Sequence, residues 1–103
     1  MNKKFELLLD DTVEYFGIKL FRIRALISFG NVGAGDIGGY IEKEENLSEK
    51  GNAWVYGDAM VYGDARVYGN ARVSGNAMVY GNACVSGDAL VYGDAEVYGY
   101  AEV

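Results

Sequence analysis

A chain of 103 residues, half of them hydrophobic, is long enough for one domain with a modest core, and its single cysteine, Cys84, excludes an internal disulfide. The formal net charge of -6 disfavours direct binding to nucleic-acid phosphates or to an anionic membrane, and no apolar run approaches the length of a membrane-spanning helix. Histidine and proline are absent, while 15 glycines point to a chain that turns at regular intervals.

In chain order, the opening residues 1–9 have the outline of a secretion signal, but Asp10, Asp11 and Glu14 interrupt the apolar stretch too early. The chain is therefore expected in the cytoplasm. Residues 4–9 and 12–16 read as two strands around Asp10-Asp11, and residues 18–29 as a longer strand after a turn at Gly17. These strands are expected to form a β cap over one end of the repeats that begin at Gly51, because an open coil end exposes unpaired backbone. The glycine-rich stretch 33–39 lacks the Gly-Lys-Ser/Thr ending of a phosphate loop and precedes no helix signal. It reads as a structural bend.

From Gly51 the sequence repeats every six residues as G-[N/D]-A-x-V-[Y/S], from GNAWVY through GDAEVY to a final GYAEV. Residues two apart on a strand share a face, so each Ala and Val pair points inward, while the variable residue and the Tyr or Ser point outward. Gly-Asn and Gly-Asp supply the turns, since Gly tolerates positive φ and Asn or Asp bonds the local backbone. A strand of about four residues that turns this often cannot form a hairpin ladder, so the chain should coil and stack on itself.

These repeats resemble the left-handed parallel β-helix of the hexapeptide-repeat family, in which 18 residues complete a coil. The resemblance implies an all-β fold of about three regular coils spanning residues 51–103, preceded by a β cap and an irregular lead-in coil over residues 1–50. The lead-in carries motifs of its own, the F-R-I-R-A-L strand, the G-A-G-D-I-G-G-Y-I bend and N-L-S before G-N-A-W-V-Y. They are similar to those of a subgroup of bacterial and phage-encoded hexapeptide-repeat proteins labelled transferases. That label follows fold and says little about activity.

Folding the sequence at that interval yields three outer faces. One stacks Trp54, Arg72 and Leu90 beside Tyr56, Ser74 and Tyr92, with Arg72 placed to lie over the indole. A second stacks Met60, Met78 and Glu96 beside an unbroken column of Tyr62, Tyr80 and Tyr98. The third stacks Arg66, Cys84 and Glu102 beside Tyr68 and Ser86. The second face is the most apolar, and Met60, Tyr62, Met78, Tyr80 and Tyr98 form its candidate interaction surface. The turn columns never place one Asp directly over another, as like charges stacked that closely would require.

Enzymes of the resembled family use histidine as a base or as a metal ligand, and this chain has none. No catalytic, metal-binding or cofactor residue is therefore expected, Cys84 has no histidine to activate it, and the carboxylates are dispersed along the turns. The expected function is a non-catalytic protein-interaction or assembly module of phage or prophage type, acting in the host cytoplasm if phage-encoded. It should bind a protein partner and form a homo-oligomer, a dimer or trimer, through the Tyr/Met face or through the open coil end at Tyr100, Glu102 and Val103. One alternative is an acidic inhibitor of a host nucleic-acid-binding or defence protein, since residues 51–103 carry six carboxylates against two arginines, net -4. The other is a degenerate acyltransferase relative that binds a nucleotide or acyl-CoA, its aromatic faces stacking a base.

Overall fold

The computed structural model describes residues 3–103, and every regular element in it except one short 3-10 turn is a β-strand. After a long hairpin of β1 (Phe5–Tyr15) and β2 (Ile18–Ala25) come β3 (Ile37–Ile41) and the 3-10 turn Glu44–Asn46. Eight two-residue strands complete the chain: β4 (Trp54–Val55), β5 (Met60–Val61), β6 (Arg66–Val67), β7 (Arg72–Val73), β8 (Met78–Val79), β9 (Cys84–Val85), β10 (Leu90–Val91) and β11 (Glu96–Val97). They stack in parallel into three walls, β4-β7-β10, β6-β9 and β3-β5-β8-β11, the last extended by β2 and β1. Trp54 pairs with Arg72, Met60 with Met78 and Arg66 with Cys84, so one full coil takes 18 residues. The protein is a β-solenoid.

Packing explains the repeat. Ala53, Ala59, Ala65, Ala71, Ala77 and Ala83 are buried with Val55, Val61, Val67, Val73, Val79 and Val85 in one continuous core. The small alanine stands beside the turn, where two adjacent walls meet and the interior narrows. At the corners the glycines take positive φ and lie directly over one another. A Cβ on Gly69 (φ 69°) would come within 2.9 Å of the Gly87 nitrogen.

The backbone ladder has a direction. In each hexapeptide from residue 51 to residue 86 the N–H groups of the Asn or Asp, of the variable residue and of the Tyr or Ser donate to the Gly, Ala and Val carbonyls of the next coil. Asp58 to Gly75 (3.1 Å), Met60 to Ala77 (3.0 Å) and Tyr62 to Val79 (2.9 Å) form one such set. A fourth bond returns, as from the Val103 N–H to the Cys84 carbonyl at 2.9 Å. Each coil thus offers mainly donors forward and mainly carbonyls backward.

Parallel stacking begins before the first hexapeptide. Tyr40 pairs with Met60 and Leu47 bridges Val67, each two residues further apart than in the later coils, and the 3-10 turn lies between these two lead-in positions. Gly38 and Gly39 make this layer possible: a Cβ on Gly38 would meet the Val55 carbonyl oxygen at 2.5 Å, and one on Gly39 the Ala59 oxygen at 2.5 Å. The glycine bend is a place of close backbone approach.

The lead-in strands differ from the expectation in two places. Asp10-Asp11 is not a turn but part of a bulge within the continuous β1, where the register with β2 shifts between Leu8 and Thr12. Asp11 reaches the Arg22 guanidinium at 3.5 Å. The hairpin turn is Phe16-Gly17, both at positive φ. The strand expected over 18–29 ends at Ala25, whose N–H turns to the Asp36 carbonyl (2.9 Å), and Phe29 and Val32 close a tight turn by exchanging backbone bonds.

Candidate functional site

Trp54 does not point outward. It is fully buried, edge-on to Phe5 and Phe29 at centroid distances of 6.4 and 5.4 Å, because the hairpin and the 26–36 segment fold over that corner. The expected contact of Arg72 with the indole is absent among the described residues. The cation–π pairs there are Lys4 with Phe29, Lys19 with Phe21 and Arg22 with Tyr40. Arg72 is exposed instead.

The Tyr column of the second face forms as the spacing requires. Tyr62 and Tyr80 stack at 5.0 Å with planes 3° apart, and Tyr80 and Tyr98 at 5.5 Å and 12°. Its two ends differ. Tyr62 is buried under Tyr15 of the hairpin and belongs to a cluster with Leu20 and Tyr40, against which Met60 also packs. Met60 and Tyr62 are thus committed in large part to intramolecular packing. Tyr80 is half-buried beside Met78, its hydroxyl donating to the Glu96 carboxylate at 3.0 Å, and Tyr98 is exposed. Burial raises the Tyr62 hydroxyl to a pKa of about 12, with Tyr15, Tyr80 and Glu96 adding to the shift. Tyr80 is raised too, by burial and by its hydrogen bond to Glu96.

The two edges of the solenoid carry opposite chemistry. At the N-terminal edge the first regular coil turns its carbonyls away from the second coil, and polar side chains meet them. Lys4 Nζ donates to the Ala53 and Gly51 carbonyls at 2.8 and 3.4 Å. Asn46 Nδ2 does the same at Ala65 and Gly63, at 2.8 and 3.2 Å, and Arg22 reaches Gly57 at 3.1 Å. Each corner therefore receives a side-chain donor where a preceding coil would have supplied N–H groups. Among the described residues Lys4 and Asn46 are the two buried polar ones, and no buried side-chain polar atom there lacks a partner. Burial lowers the Lys4 ammonium to a pKa of about 8, against a weaker opposing pull from Glu49. Sequence reading missed both residues. The signal was an isolated Lys and an isolated Asn outside the repeat, which is visible only once the coil edges are known.

At the far edge, the donors that pair forward in earlier coils belong to Asp88, Leu90, Tyr92, Asp94, Glu96 and Tyr98, with no following coil among the described residues. Tyr100, Glu102 and Val103 are exposed there.

Among the described residues no three Cys, Asp or Glu side chains approach closely enough to hold a metal ion. A shallow recess of about 500 Å³ along the third face is lined by Lys43, Asp64, Arg66 and the free Cys84, with Lys43 and Asp64 paired at 3.1 Å. A second, of about 330 Å³, lies on the first face between Tyr56 and Tyr92. No helix among the described residues is long and apolar enough to cross a membrane.

Three stacked walls, a six-residue period and an Ala/Val core define a β-solenoid of the hexapeptide-repeat type. The family model described as the YdcK beta solenoid repeat matches residues 53–69, 65–81 and 71–87, all within the regular coils, so this part of the chain is similar to that repeat. No curated protein matches the chain.

Proposed function

We propose that the protein is a non-catalytic protein-interaction and assembly module that self-associates through the distal part of its Tyr/Met face, Met78, Tyr80 and Tyr98. The observation that supports this reading is the stacked tyrosine column, covered by the protein's own hairpin at Tyr62 and uncovered at Tyr98. A rigid row of aromatic rings beside a methionine gives a second copy large contact area at small cost in side-chain entropy. The far edge, at Tyr100, Glu102 and Val103, is the weaker candidate for a self-contact. Two copies continuing their ladders edge to edge would bring rows composed mainly of N–H donors together.

The acidic-inhibitor alternative draws on evenly spaced carboxylates. Asp58 and Asp64 are held by Arg22 and Lys43 at 3.2 and 3.1 Å, which breaks the even row and favours the assembly reading. Light scattering of the native chain and of Tyr80→Lys tests it. The native chain should be a dimer or trimer and the variant a monomer; a monomeric native chain, or an oligomeric variant, would sink the proposal.

A further inference from the structure

The first face carries the same tyrosine position as the second, with one rung missing. Its column reads Tyr56, Ser74, Tyr92, and the register of β4, β7 and β10 places Ser74 on the coil between the two tyrosines, one rung from each. The second face supplies the measure of the gap. There Tyr80 fills the corresponding place, 5.0 Å from one neighbouring ring and 5.5 Å from the other. Substituting Ser for Tyr therefore leaves a notch of one ring's thickness, open to solvent, between two aromatic rings.

The notch is part of the recess of about 330 Å³, lined by Asn31, Tyr56, Arg72, Ser74, Leu90 and Tyr92. That volume lies at the lower end of small-ligand sites, and its composition is typical of them, apolar walls with a few polar groups. Asn31 reaches it from the tight turn that Phe29 and Val32 close, offering an amide that both donates and accepts. Arg72 is exposed on the same face, and among the described residues it pairs with no carboxylate. A free guanidinium next to an aromatic slot provides a fork for phosphate or carboxylate oxygens.

We propose that this notch binds a planar aromatic ligand carrying an anionic group, of the nucleoside monophosphate class. The base enters between Tyr56 and Tyr92 over Ser74, Asn31 reads its edge, and Arg72 takes the phosphate. This face is separate from Met78, Tyr80 and Tyr98, so the site stands or falls independently of self-association.

Calorimetric titration of the native chain with AMP, adenosine and ribose 5-phosphate tests the assignment. AMP should bind saturably, adenosine roughly ten-fold more weakly for want of the Arg72 contact, and ribose 5-phosphate, without a ring, should give no saturation. Ser74→Tyr completes the column and should abolish AMP binding with no loss of thermal stability, while Arg72→Gln should lower AMP affinity to that of adenosine. Absence of saturable AMP binding, undiminished binding by Ser74→Tyr, or a retained preference for AMP in Arg72→Gln would each overturn the proposal.

Discussion

Asn46 is the most informative residue for testing how the solenoid's first edge is held. Its Nδ2 donates to the Gly63 and Ala65 carbonyls at 3.2 and 2.8 Å, and its Oδ1 accepts from the Glu42 and Lys43 N–H groups at 3.1 and 2.9 Å. The side chain is fully buried, so Asn46→Ala removes four bonds at once. At about 1 kcal/mol net for each, reduced where water can replace the partner, the expected loss is about 3 kcal/mol. A chain of this length has on the order of 5 to 15 kcal/mol in total. Asn46→Asp separates hydrogen bonding from shape. The carboxylate still accepts the two N–H groups, but its other oxygen faces two carbonyls in a buried corner. It should therefore lose more than the alanine variant at neutral pH, and burial should raise its pKa. Part of the loss should return in acid, where the protonated carboxyl can donate again. Urea unfolding followed by the fluorescence of Trp54 reads all three chains. An aspartate variant at least as stable as the alanine one at pH 7, or an alanine loss well under about 1 kcal/mol, would refute the assignment of this corner.

Two other perturbations draw on the same packing. Gly38→Ala places a methyl group 2.5 Å from the Val55 carbonyl oxygen and 2.8 Å from Ile23 and Trp54, where backbone and core must both move. It should cost about 3 kcal/mol in urea unfolding. Lys4, held at about 8 against an ordinary 10.5, titrates lower in the folded chain than in the unfolded one. The unfolded state then binds more protons between these values, so stability should rise by about 2 kcal/mol from pH 8 to 10. Tyr62 acts in the opposite sense. Its pKa is raised from 10.0 to about 12, so its contribution is present below pH 10 and lost as pH climbs through 12. Thermal melts should thus peak near pH 10, and Lys4→Met should flatten the rising limb; an unchanged limb would remove Lys4 as its cause.

The regular coils were legible because their constraint is local and repeated. A methyl group fits beside each corner, a valine fills each wall, and only glycine tolerates the turn, so Ala, Val and Gly recur in phase and declare both period and face. Trp54 broke the inference because it occupies a repeat position whose surroundings are not repeated. Phe5 and Phe29 cover it, and neither sequence neighbourhood announces that contact. Tyr62 misled in the same way, since a column of identical tyrosines gives no sign that Tyr15 lies over its first ring. The bulge at Asp10-Asp11 looked like a turn because two acids between apolar runs are a turn signal. The chain places them instead where β1 bends, with Asp11 drawn to Arg22.

The direction of the ladder explains why the non-repeating residues are polar where they are. A coil edge of carbonyls can be satisfied by any side chain that donates, and three different types, Lys4, Arg22 and Asn46, serve at the three corners. The donor-rich edge is chemically more selective, because whatever is laid on it must present carbonyls or carboxylates at the spacing of Gly, Ala and Val. With the inward positions fixed by packing and the edges by hydrogen bonding, the outward fourth and sixth positions of each repeat are the ones free to vary at little cost in stability, the sixth between Tyr and Ser. Tyrosine there on three successive coils builds the stacked face. Serine on the middle coil of the neighbouring wall opens a ring-wide notch in an otherwise equivalent column. Differences in binding on this scaffold are therefore expected to arise from single outward substitutions, with no change in the coil that carries them.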